Sequence, residues 1–174
     1  MSEYLKIEPN RNYFITLTVK DWVDVFTREC YVNIVLDSIR YCQQSKGLDV
    51  YSYVIMPTHI HMIAGTDGNL SDILRDMKRH TARLIIKEIQ DNLGESRREW
   101  MMERFRYRDS KGAMHHQFWQ EGNYPVELYS MKFILQKQHY IHMNPVKTGM
   151  VSWPQHYRLS SACEDSPIKV MPIC

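Results

Sequence analysis

Cysteine is scarce in this 174-residue chain and never clustered. Cys30, Cys42, Cys163 and Cys174 form no Cys-x-x-Cys pair, which removes the common thiolate zinc sites and any dense disulfide framework. Reduced, structural or incidental thiols are expected. Glycine and proline contribute only seven residues each, and the hydrophobic share is 44%. That composition excludes collagen-like, low-complexity and disordered chains. Long apolar runs are missing as well. The longest covers residues 53–56, against the ~20 residues a membrane span needs, and residues 1–6 lack a secretory apolar core. A cytoplasmic protein that touches no membrane is expected. Charge of one sign is not in excess either: 22 Lys and Arg face 20 Asp and Glu, for a net charge of +2. A polyanionic partner would therefore have to be met by local clustering of charge.

The length suits one domain with its own hydrophobic core, and residues 1–174 read as a single domain. Asn12 to Val19 is β-branched and aromatic with rough alternation, a strand pattern. Thr27 is a candidate cap for a helix running to Gly47, with Val32, Val35, Leu36 and Ile39 as its apolar stripe. Val50 to Met56 and His59 to Ala64 read as strands paired as a hairpin around Pro57-Thr58. A helix follows from Leu70 to Ile89, burying Leu70, Ile73, Leu74, Met77, Thr81, Leu84 and Ile85. From Asp91 to Gln117 the periodicity fades into a charged stretch, expected as an insertion or mobile connection with one short strand near Phe105 to Tyr107. A last helix starts at Pro125 or Ser130 and is expected to stop near Asn144, because Pro145 restricts the residue before it. Hairpin strands mixed with helices predict an α+β sandwich, an antiparallel sheet with helices on one face.

Two segments carry candidate chemistry. In His59-Ile60-His61 the imidazoles sit at i and i+2 of a strand and project from one face. They offer half a metal site, or are simply a chance pair on a half-exposed strand. Truncating either would be expected to leave the core intact. In Tyr140-Ile141-His142-Met143-Asn144-Pro145-Val146, Tyr140 and Asn144 lie one helical turn apart on one face. Tyr140 offers a phenol nucleophile and Asn144 a carbonyl ligand. The plainer alternative is a packing tyrosine and a C-terminal cap.

These two segments, with Val54 to Ile63 around the first and Lys147 to Val151 after the second, resemble the small single-tyrosine transposases of insertion sequences. They form a branch of the superfamily called HUH after its His-hydrophobe-His motif. The Tyr-Ile-x-x-Asn-Pro-Val form is most similar to the REP-associated tyrosine transposases. Phe26 to Glu29, Phe118 to Gln120 and Ser160 to Ala162 add to the resemblance, which spans residues 12–162. It implies a ferredoxin-like or RRM-like fold with the nucleophile on a C-terminal helix. It also implies a Mg²⁺ or Mn²⁺ ion held by His59, His61 and Asn144. Imidazole ligands favour Mn²⁺ of the two. Tyr140 would attack a phosphate of single-stranded hairpin or palindromic DNA and leave a 3′-hydroxyl and a 5′-phosphotyrosine, so that rejoining needs no ATP. Both homodimers and monomers occur among such proteins. His139 and His142 are expected as surface groups, so no general base is assigned.

For DNA contact, Arg75, Lys78, Arg79, Arg83 and Lys87 on the second helix are the main candidates; Arg75, Arg79 and Arg83 form an i, i+4 stripe. The alternative is an ordinary solvated face. Arg104, Arg106 and Arg108 alternate as they would on one side of a strand. Trp119 and Tyr124 are possible base-stacking residues, with core packing the stronger role for Trp119. Two other functions fit the same residues: a domesticated DNA-binding module, and a metal-dependent hydrolase in which Tyr140 only packs.

Overall fold

The computed structural model describes residues 7–122 and 125–173. Its elements in chain order are β1 (Tyr13–Thr18), α1 (Glu29–Ser45), β2 (Asp49–Met56), β3 (His59–Gly65), α2 (Leu70–Asp91), α3 (Arg98–Phe105), β4 (Arg106–Arg108), β5 (Met114–His116), β6 (Val126–Glu127) and α4 (Met131–Lys147). Strands β2-β3-β1-β6 form one sheet in that order. Neighbours are antiparallel throughout. β1 and β2 therefore run parallel with β3 between them, joined by α1 as crossover helix. This is the split βαβ, ferredoxin-like arrangement expected from the sequence. Among the described residues no helix is long and apolar enough to cross a membrane.

Alternation along the strands sorts the side chains into two cores. Tyr13, Ile15 and Leu17 of β1, with Ile60, Met62 and Ala64 of β3, face α1 and α2. Phe14, Val54, Met56 and Ile63 face the other way, where Ile141, Phe133 and Ile134 of α4 cover them. The crossover helices thus share one face, and the C-terminal helix lies on the opposite one.

Several boundaries differ from the sequence expectation for local reasons. Thr27 does not cap α1: it sits in a 3₁₀ turn, its hydroxyl donates to the Asp24 carbonyl at 2.9 Å, and Arg28 holds the N-cap position. The stop at Gly47 holds, since the chain reverses there at φ +66°, a conformation glycine adopts without strain. The charged stretch is ordered structure, comprising α3 and the β4–β5 hairpin, because Met101 and Phe105 are fully buried in the α1/α2 core. α4 begins after Ser130, whose hydroxyl accepts from the Phe133 amide. It does not stop at Asn144 but carries Pro145 inside its final turn and runs to Lys147. The carbonyl of Asn144 accepts from the Thr148 amide at 3.2 Å, and that of Pro145 from Met150 at 2.9 Å. Pro145 has no N–H for the Ile141 carbonyl and its ring crowds that carbonyl, and the helix ends two residues later. The C-terminal tail returns to β2, where the Ile55 amide bonds the Leu159 carbonyl at 2.9 Å.

Candidate active site

β3 is flanked by β1 and β2, so His59 and His61 project from the best-supported strand of the sheet. Their ring centroids are 4.6 Å apart. Each Nδ1 is engaged by a threonine hydroxyl: Thr58 Oγ1 at 2.9 Å from His59, and Thr16 Oγ1 at 2.8 Å from His61. Thr16 stands opposite His61 in the β1–β3 register. In the tautomer whose Nδ1–H donates to the hydroxyl, the Nε2 lone pair is left for a metal or a proton. Burial pushes both imidazole pKa values down. For His61, His59 and Lys137 add to burial and the value falls to about 3. Both rings are therefore neutral near pH 7, the state in which imidazole binds metal. His61 is only 7% exposed and stacks on Phe14 at 5.2 Å. Truncation to alanine would thus open a void, contrary to the sequence expectation; a polar substitution of similar size is the cleaner probe.

α4 is oriented by its apolar side. Ile141 is fully buried against Phe14, Val54, Met56 and Ile63, and this rotation sets Tyr140 at the rim of the face. The Tyr140 ring is 38% exposed, with its centroid 5.4 Å from His61 and 5.9 Å from Phe14. One turn on, Asn144 is 8% exposed. Among the described residues no three His, Cys, Asp or Glu side chains gather as a metal site. Two neutral imidazoles side by side are by themselves half a ligand set for a divalent ion.

Two residues of this site went unnoticed in the sequence. Lys137 Nζ lies 5.8 Å from the Tyr140 ring centroid and 4.6 Å from that of Phe14; Lys147 Nζ lies 5.5 Å from Tyr140. Neither makes an ion pair among the described residues. The signal was available. Lys137, Tyr140, Asn144 and Lys147 follow i−3, i, i+4, i+7 spacing, one stripe of a helix.

The basic residues of α2 are not brought to this site, since α2 packs on the other face of the sheet. Arg75 is paired with Asp72 at 2.6 Å, and Lys87 with Asp91. Lys78 is half-buried and donates to the Gln120 carbonyl at 3.0 Å. Arg79 and Arg83 remain exposed, lining a groove of about 720 Å³ between α1 and α2 with His80 and Tyr41. Arg104 belongs to α3 and only Arg106 and Arg108 to β4, so the three guanidiniums do not share a strand. Trp119 is core, its indole donating to Thr81 at 3.0 Å; Tyr124 lies outside the described residues. His139 is exposed. His142 is not a surface group: its Nε2 meets Ser52 Oγ at 3.2 Å and Ser161 Oγ at 3.0 Å, tying α4 and the tail to β2.

A strand-borne His-x-His pair and a helix-borne tyrosine thus meet on one face of a ferredoxin-like sheet. Residues 9–110, more than half of the chain, match the profile of the family described as transposase, IS200-like. The chain belongs to that family. The match includes His59 and His61 and ends before Tyr140. Among solved structures, the chain is similar to a REP-associated tyrosine transposase bound to a REP hairpin, with 17% identity, a TM-score of 0.67, and coverage of 92% of this chain and 82% of that one. This likeness shows the shared fold. A candidate transposase from Deinococcus radiodurans aligns at 15% identity over 81% of this chain and 95% of that one, with a TM-score of 0.47. No curated protein sequence matches the chain.

Proposed function

We propose that the protein is a DNA transposase that cleaves and rejoins single-stranded DNA beside a hairpin or palindromic element through a covalent link to Tyr140. The observation that carries this reading is the packing of the Tyr140 ring against His61, whose ring centroid in turn lies 4.6 Å from that of His59. A nucleophile and a pair of neutral imidazoles converge on one rim of one sheet face. The similar fold of a hairpin-bound REP-associated tyrosine transposase supports DNA of that kind as the substrate.

His59, His61 and Asn144 would hold a divalent ion, Mn²⁺ or Mg²⁺, which when bound polarises the scissile phosphate and offsets its developing charge. The chain's own residues do the rest. The phenol oxygen of Tyr140 attacks phosphorus and its proton passes to water. The bond from phosphorus to the 3′-oxygen breaks, that oxygen takes a proton from water to become the 3′-hydroxyl, and the phosphodiester energy is kept in the phosphotyrosine. Lys137 and Lys147 flank the phenol and would place positive charge beside both the forming phenolate and the phosphate. The phenol is accessible, which entry of a polymer requires.

Incubation with the single-stranded palindromic DNA flanking its own gene, read on a denaturing gel, tests the proposal. Metal-dependent appearance of a protein–DNA adduct is expected. Metal-dependent cleavage without adduct would favour the hydrolase alternative, and tight binding without product the domesticated binding module.

A further inference from the structure

Asp21 and Trp22, between β1 and α1, both adopt left-handed backbone, at φ +54° and +55°. Two such residues in succession, neither of them glycine and one bulky, are an uncommon strain that the surroundings must hold in place. Backbone bonds do so: the Val19 amide to the Thr58 carbonyl at 2.9 Å, Lys20 to Phe118 at 2.7 Å, and Trp22 to Val19 at 3.0 Å. Packing does not explain the strain, because the indole is 58% exposed while its neighbour Val23 is buried. What the conformation achieves is placement. The Trp22 ring meets the His59 ring edge-on, with centroids 5.6 Å apart and an interplanar angle of 72°. Ring contacts then run from Trp22 to His59, from His59 to His61 and from His61 to Tyr140, with centroids 5.6, 4.6 and 5.4 Å apart.

We infer that Trp22 is a stacking platform for an unpaired base of single-stranded DNA, and that this base belongs to the nucleotide on the leaving side of the scissile phosphate. The stacking itself follows from an exposed indole held rigid at the rim of the site. The side follows from the order of these ring contacts and rests on the transposase reading. Attack and departure at phosphorus lie roughly in line. Tyr140 touches His61 and Trp22 touches His59, so for attack from the Tyr140 side we assign the departing 3′-oxygen to the Trp22 side.

The test is a walk of single abasic nucleotides along the palindromic strand flanking the gene, with binding measured in EDTA for the full-length parent, Trp22→Ala and Trp22→Phe. In the parent, one abasic position should weaken binding roughly 5- to 150-fold. Trp22→Ala should bind intact DNA that much more weakly and be indifferent to the lesion, whereas Trp22→Phe should keep most of the penalty. Should Trp22→Ala melt early, 2-aminopurine at that position carries the test: its fluorescence is quenched on binding the parent and less so with Trp22→Phe. Equal abasic penalties for all three proteins, or unaltered 2-aminopurine emission, would overturn the platform. Adduct formation by the parent reports the chemistry separately. An adduct with no coupling at Trp22 discards the platform alone; coupling 3′ of the cleaved phosphate discards the assigned side.

Discussion

Two threonine hydroxyls decide what the paired imidazoles can offer. Thr16 and Thr58 take up the Nδ1 atoms of His61 and His59, and outer partners of this kind are typically worth 10–100-fold in metal affinity. Thr16→Val keeps the shape and removes the oxygen. We expect its Mn²⁺ affinity, followed by the metal-induced rise in melting temperature, to fall by about that factor while the metal-free melt changes little. An unchanged Mn²⁺ response would show that Thr16 does not hold the ring. The imidazoles themselves were legible in the sequence, because a period of two places His59 and His61 on one face whatever surrounds the strand. Thr16 was not, because it meets His61 only through the β1–β3 register. Lys137 and Lys147 sat in plain view at helical spacing from Tyr140. Lys147 falls beyond the helix end expected at Asn144, and Lys137 has no pattern of its own that separates it from a solvated surface lysine.

At the level of elements, the segment from Asp91 to Gln117 shows where pattern reading fails. α3 is short and charged, and it anchors itself with only Met101 and Phe105, too few apolar positions for a period to emerge. Its approach is fixed instead by a buried carboxylate. Glu95 receives the Tyr31 hydroxyl at 3.3 Å and lies near Arg28 at 3.4 Å and Arg97 at 3.5 Å. Burial works against the charge of Glu95, but the Arg97 amide and the Arg28 guanidinium outweigh it and hold the carboxyl below its ordinary value of 4.5. A depressed folded-state pKa means that the stabilisation is complete above about pH 4.5 and is lost as pH falls toward the folded value. Glu95→Gln should therefore cost about 1–3 kcal/mol at pH 7 and flatten the acid limb of the stability profile. Chemical denaturation from pH 7 down to pH 3 checks this, and parallel curves for parent and variant would contradict it. The hairpin of β2 and β3 was legible by contrast, since Pro57-Thr58 punctuates two strongly apolar runs.

On the scale of the whole molecule, the sheet separates two surfaces. Tyr140, the imidazoles and Lys137 lie on the α4 side, whereas Arg79 and Arg83 lie on the α1/α2 side. No sequence pattern foretold this, because the stripe of arginines reads the same on either side of a sheet. The separation predicts distinct phenotypes. Lys137→Ala should slow adduct formation at saturating DNA. Arg79→Ala with Arg83→Ala should leave that rate unchanged; if the groove contacts the nucleic acid, each lost phosphate contact would lower the salt slope of binding by about 0.7–0.9. Single-turnover rates with a salt titration distinguish the two, and a slowed rate in the arginine pair would place α2 at the chemistry after all. The claim on which the account turns is that Tyr140 is the nucleophile. Tyr140→Phe keeps the ring against His61 and Phe14 and deletes one exposed oxygen, so folding and DNA binding should persist. Digestion of the parent's reaction with its palindromic strand and Mn²⁺, followed by mass spectrometry, should find the nucleotide on the peptide that contains Tyr140, and Tyr140→Phe should give none. An adduct on another tyrosine, or undiminished strand cleavage by Tyr140→Phe, would contradict the account.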